Sequence, residues 1–355
     1  MVCMYIIFNT KLYHLWLKTK KQSFSLIELS ICIMISGIMA AAAIVSYDTV
    51  KQARAQAVIS QFQKYRTAIN DFYKFYGYLP GDLPDAQYRF SAKDYITSDF
   101  TTINSLTSSE KEKVVLNGAG VGYIFGCATN TGSSNAYVYS DNNLVWSHLS
   151  ASGFLGEKYV SINENCKISD YTGAKCLQGG INMPSVEYTD DYGGVWNFRT
   201  LSRAVGTKDM TLGAIYSATD AYKYNVLEIV SFQQTKSGYS NANDNGMECY
   251  NRMDGYKQPA RNHFDTAYGG ISNDMMFMID AKIDDGKPLS GSVFANNSMQ
   301  VNSYTVEATP CINTGTGVNI NATIDKTDAS FVNKNTYTTN KDARCVGVFI
   351  LPELG

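Results

Sequence analysis

Residues 20–47 read KKQSFSLIELSICIMISGIMAAAAIVSY, and they place one carboxylate, Glu28, at the front of an apolar run, just behind Lys18, Lys20 and Lys21. No further charge occurs before Asp48. A charged side chain at bilayer depth costs on the order of 2.5–3.5 kcal/mol. The chemistry open to Glu28 is therefore charge pairing with a cation brought to the same depth. The competing reading is an acid that simply reaches back to the membrane edge.

Other residues capable of chemistry are thinly spread. Cys3 precedes the apolar run and Cys32 lies in it, so both are expected to stay unpaired; the other six are Cys127, Cys166, Cys176, Cys249, Cys311 and Cys345. An even number in an oxidising compartment points to disulfides, although six cysteines allow 15 connectivities. The nearest pairings in sequence are Cys166–Cys176 and Cys311–Cys345, which would leave Cys127 to Cys249. A zinc site would want a CxxC-like pair, and the chain has none.

Three histidines, His14, His148 and His263, are isolated, and no GxSxG elbow or GxxxxGK[ST] loop accompanies them. The pairs Asp190–Asp191 and Asp284–Asp285 sit in turn-like surroundings. Neighbouring carboxylates on extended chain point to opposite sides, which suits solvation better than acid–base work. Calcium is the one cofactor to weigh. NANDNG, residues 241–246, has the Asx alternation and glycine of an EF-hand loop, but the twelfth position is Arg252 where a bidentate glutamate is needed. Turns rich in Asx without metal are the commoner case. These observations argue against an enzyme.

The elements that must position Glu28 are legible. Residues 24–47 are long enough as a helix to cross a hydrocarbon core of about 30 Å. The lysines on one flank put the N-terminus in the cytoplasm and the rest of the chain across the membrane. A secretory signal would be cut after a small-residue site such as GIMAAAA, residues 37–43, but no helix break follows. From 46 to 76 there is no Gly or Pro, and Val58, Phe62, Tyr65, Ile69, Phe72 and Tyr76 recur at spacings of three and four. Such a stripe is one face of a continuing helix. It stops at GYLPGDLP, residues 77–84. Residues 48–76 thus read as an amphipathic stalk beyond the apolar segment.

These residues resemble the type IV pilins and type II secretion pseudopilins. That family carries a basic leader, a small residue, a cleavage point, then an aromatic residue and TLIEL or close to it. Here the pattern falls on Ser23, Phe24 and SLIEL, residues 25–29. Serine stands where the family usually has glycine, and the leader opens on the apolar MVCMYIIF where the family's is short and polar. LPGDLPDA at 79–86 and the tryptophan-containing segment 142–160 also resemble family features. The resemblance implies that a prepilin peptidase removes residues 1–23 and methylates the Phe24 amine. It further implies that Glu28 neutralises the amine of a neighbouring subunit, and that the partners are other pilin or pseudopilin subunits, an inner-membrane assembly platform and lipid. Calcium in a C-terminal loop is known in the family's major pseudopilins, with no ligands that align here. The alternative is a monomeric membrane-anchored binding protein or enzyme.

Composition agrees with an exported head. The chain has 355 residues and a formal net charge of −2; losing Lys11, Lys18, Lys20 and Lys21 with the leader gives −2 − 4 = −6. That balance gives no reason to expect nucleic-acid binding. Only 17% of residues are charged, and tyrosine numbers 25, a composition of β-rich extracytoplasmic surfaces.

The expected fold is α+β, a long N-terminal transmembrane-plus-stalk helix packed on an antiparallel sheet, with residues 77–355 as a periplasmic head. Expected strands are 122–128, 136–140, 211–218, 225–232 and 343–351. Helices are expected at 142–160 and at 272–291, the second stopped by Gly286 and Pro288, with a short one in 110–120. Residues 296–340 read as long surface loops.

Overall fold

The computed structural model describes residues 25–91, 106–118, 120, 122, 124, 141–162, 178–188, 193–201, 224–231, 268–288, 290–297, 311–313, 336–338 and 344–352. Two compact units divide the chain, Met1–Ala53 and Arg54–Gly355.

Helix α1 runs unbroken from Leu26 to Tyr76. Absence of Gly and Pro after Gly37 lets it continue, and Gly77, at φ +72°, ends it by adopting the left-handed conformation of a helix C-cap. In the first unit its apolar residues fall at successive positions, so they cover every side of the helix, and Leu26, Ile33, Ile38 and Val45 are 64–86% exposed. In the second unit the helix is amphipathic. Ala55, Val58, Ile59, Phe62, Tyr65, Ala68, Ile69 and Phe72 are all buried, while Lys64 and Arg66 face out. From Ala55 onward the helix is a core element, packed as the expected long helix on an antiparallel sheet requires. Its apolar stripe, at 3.6-residue spacing, is covered by protein.

A six-stranded antiparallel sheet supplies the cover. Strands β1 (Val195–Leu201), β2 (Tyr224–Ser231) and β8 (Arg344–Ile350) lie in that order. The short β3 (Tyr268–Gly269) pairs with β2, and β4 (Ile271–Ser272) and β5 (Val293–Asn297) pair with β8. Register places Trp196 opposite Ile229, Phe198 opposite Leu227 and Leu227 opposite Phe349, on one face. That face meets α1: the Phe62 ring lies 4.9 Å from Phe349, and Tyr65 lies edge-on to Trp196 at 5.8 Å. Between β3 and β4, Gly270 has no room for a side chain, since a Cβ would sit 2.6 Å from the Val230 carbonyl carbon.

The remaining helices are α2 (Ala86–Phe90), α3 (Ser108–Lys111), α4 (Asp141–Ala151) and α5 (Asn273–Ile283). Helix α4 places Trp146 against Tyr65, and Gly153, at φ +81°, lets the chain turn back so that Leu155 N–H donates to the Leu149 carbonyl. Helix α5 lies on the sheet face that carries Gly347, where Met276 fills the space a side chain would take. Strands β6 (Ile312–Asn313) and β7 (Thr336–Tyr337) form a separate antiparallel pair.

Three expectations are corrected. The helix expected in 110–120 is only α3, after which residues 114–118 lie outside any helix or strand. Its glycines close on the 79–84 turn, Gly118 and Gly120 donating to the carbonyls of Leu83 and Asp82 at 2.8 and 2.9 Å. The 296–340 stretch is not all surface loop, since it holds part of β5, the β6–β7 pair and the buried Cys311 and Ile312. Strands β1 and β5 were not expected. Within the expected strand 122–128, Ile124 lies outside any strand and is tied to Thr200 in both directions. The expected strands 136–140 and 211–218 lie outside the described residues.

Candidate functional site

The front of α1 is built by local rules. Ser25 precedes the first helical residue, and Glu28 is the third residue of the helix. The Ser25 N–H donates to Glu28 Oε2 at 2.9 Å, and the Ile27 N–H donates to Ser25 Oγ at 3.2 Å. This closely follows a capping box, in which a serine and the glutamate three residues later satisfy orphan N–H groups of the first turn. The negative carboxylate also faces the positive end of the helix dipole, and Lys74 stands at the other end. The Ser-x-x-Glu spacing is visible in the sequence, and the cap is the signal the motif reading passed over.

The serine and threonine side chains along the apolar half are turned back onto their own helix. Ser30, Ser36, Ser46 and Thr49 hydroxyls donate to the carbonyls of Ile27, Cys32, Ala42 and Val45 at 2.7–2.9 Å. No such hydroxyl needs water, which is the condition for a segment in hydrocarbon. At the far end the Lys51 ammonium lies 4.8 Å over the Tyr47 ring, an amphipathic pairing of the type that favours a membrane interface. Among the described residues α1 is the one helix long and apolar enough to cross a membrane.

Ser23 and Phe24 lie outside the described residues, as do Cys127, Cys166, Cys176, Cys249, His263 and residues 241–246. Cys311 and Cys345 are joined as a disulfide with Cα atoms 5.1 Å apart, tying the β6–β7 pair to β8.

Asp284 and Asp285, expected to diverge into solvent, instead converge with Asp280, carboxylate oxygens of the three lying within 4.8 Å. The residues around them account for this. Asp280 accepts from the Tyr337 hydroxyl at 2.7 Å and the Gly286 N–H at 3.2 Å. Asp284 accepts from the N–H groups of Ser292 and Val293 at 2.5 and 2.7 Å. Asp285 accepts from the Lys287 N–H and the Ser290 hydroxyl. These donors let the cluster organise its own loop. Burial pushes the Asp280 carboxyl up to about 7; the hydrogen bonds from Tyr337 and Gly286 oppose that, and Asp284 and Asp285 add to it.

On the sheet face turned away from α1, Arg199 and Glu228 form a buried ion pair at 2.7 Å, with Asn197 Nδ2 donating to the other carboxylate oxygen at 3.0 Å. No sequence signal marked this pair, because its members are 29 residues apart and meet only through the β1–β2 register.

No family model, curated protein or solved structure matches the chain.

Proposed function

We propose that this chain is a pilin-like or pseudopilin subunit. In this reading a prepilin peptidase cuts between Ser23 and Phe24 and methylates the new Phe24 amine. The mature chain then joins others in a filament rooted in the inner membrane, serving type II secretion or a type IV pilus, with the head in the periplasm. The observation that carries the reading is the joining of two features in one helix. A carboxylate stands at the front of an apolar segment exposed on all sides, and that segment continues without a break into the core helix of a folded head. A simple anchor needs neither the acid nor the SLIEL context around it. In this reading the capping box holds Oε2 of Glu28 through Ser25, and the other oxygen pairs with the amine of a neighbour.

Crosslinking in membranes tests this. Wild type should give a ladder of multimers, with mass spectrometry placing the mature N-terminus at Phe24. Glu28→Ala should insert as well as wild type or better, since a charge costly in the bilayer is gone, and should lose the ladder. No ladder in either protein would leave a monomeric anchor as the reading, and an unchanged ladder in the mutant would make Glu28 only an acid that reaches back to the membrane edge. A mature chain starting near Ala41 would mean ordinary signal-peptide cleavage.

A further inference from the structure

His148 is buried in the head, where it joins three segments that are far apart in sequence. Its Nδ1 accepts the Gly81 N–H at 2.9 Å, and its Nε2 lies 2.8 Å from the Leu116 carbonyl oxygen. Because Nδ1 accepts, the ring proton sits on Nε2 and is donated to Leu116. The imidazole therefore uses one lone pair and one proton at once, which only the neutral ring can do. Phe72 and Phe90 rings, with centroids 6.2 and 6.3 Å away, line the rest of its surroundings.

We propose that His148 is an acid-sensitive latch: it fastens the 79–84 turn and the 114–118 segment to α4, and protonating the ring releases them while the sheet stays folded. A second proton can enter only at Nδ1, where it would confront the Gly81 N–H and turn an acceptor into a donor. The charged groups on the packed segments offer no remedy. Asp82 Oδ2 is occupied by the Gly122 N–H, Asp85 pairs with Arg89, and Glu112 pairs with Lys158. Lys74 on α1, Lys111 and Lys113 add only positive charge. In agreement, burial pushes the ring down to about 4, the Leu116 carbonyl opposing it only in part.

Release loosens hydrogen bonds rather than core packing: Val114, Leu116, Leu144 and Ile162 form a small apolar cluster of their own, while Leu79, Leu83 and Val115 stay packed in the main core. The glycines that embrace the turn have no side chains to hold it. A Cβ on Gly118 would run into the Asp82 backbone, so the embrace is held by backbone hydrogen bonds, by the side chains of Ser91, Asn117 and Ser161, and by the latch.

The direction with pH is set by linkage. The released state binds a proton between its ordinary value near 6.5 and about 4, and the latched state does not. Latching is therefore complete above pH 6.5 and weakens about tenfold per pH unit down to about 4, roughly 300-fold in all.

Hydrogen exchange read by mass spectrometry on the full chain in detergent micelles, at pH 7, 5.5 and 4.5 and corrected for intrinsic rates, tests the latch. Peptides covering 79–84 and 114–118 should lose protection toward pH 4.5, while those from β2 and β8 keep theirs. His148→Gln should flatten the pH dependence whatever its protection at pH 7. Overturning results would be a flat profile in wild type, the same slope in the variant, or sheet peptides that lose protection in step with the turn. If the variant does not fold, the wild-type series alone decides between the first and last of these.

Discussion

Glu28 and Glu228 are both carboxylates set among apolar residues, and the two regions handle them in opposite ways. Glu28 stands exposed at the first turn of α1, held by a backbone N–H of its own helix and by the helix dipole. Glu228 is 2% exposed and is held by the side chains of Arg199 and Asn197 on a neighbouring strand. The first is satisfied locally and stands exposed. The second is satisfied only after the sheet has formed. A charge retained through local capping is available to an outside partner, whereas one retained by a tertiary pair is committed to the fold.

The largest effect should come from breaking the committed pair. Glu228→Ala leaves the Arg199 guanidinium buried beside Val226 and should cost about 3–5 kcal/mol, read as a shift in the denaturant midpoint of the head. A loss below about 1 kcal/mol would mean that water reaches this face, and the contrast between the two glutamates would fade.

A smaller effect is expected at Asp280, a buried acid in the last turn of α5, at the negative end of the helix dipole. Its carboxyl is raised to about 7, so between roughly pH 4 and 7 the folded head holds a proton that the unfolded chain has released. Its contribution is fully present below the unfolded value and is lost as pH rises through about 7. Asp280→Asn keeps an acceptor for Gly286 and a donor for the Tyr337 oxygen. It should stabilise the head at pH 8 by about 1–2 kcal/mol, less than the full shift implies because Asp285 beside it is exposed. At pH 4 it should do almost nothing. Thermal melts at both pH values check the sign, and equal shifts would show that packing rather than charge is at work.

The smallest effect is expected at Glu28 itself. Glu28→Gln keeps an acceptor for the Ser25 N–H and should change the stability of the head by less than about 0.5 kcal/mol, measured by the same denaturation in micelles. A loss as large as that at Glu228 would show that the first turn of α1 is part of the folding unit.

Much of the helical framework was open to reading from local chemistry. The span of α1, its stop at Gly77 and the buried set from Val58 to Phe72 follow from helical periodicity and from residues that end helices. These depend on neighbours within one or two turns. Strand β2 was recognisable because NVLEIVS is dense in β-branched residues. Strand β1, VWNFRTL, was passed over although Trp196 and Phe198 alternate with Asn197 and Arg199. What its sequence could not show is that the polar residues are buried as well, where Glu228 and Asn225 on the next strand meet them.

By itself, then, the sequence determined the long helix, the apolar character of its first half and the lone acid at its front, since each is set by the spacing of residues along one segment. Tertiary structure alone decided which strands cover the second half of that helix, that Arg199 meets Glu228 and that Asp280, Asp284 and Asp285 converge. It alone also decided that His148 bridges Gly81 and Leu116. Burial and partnership between distant segments depend on which surfaces meet when the chain closes, and strand register and backbone hydrogen bonds settle that only in the folded head.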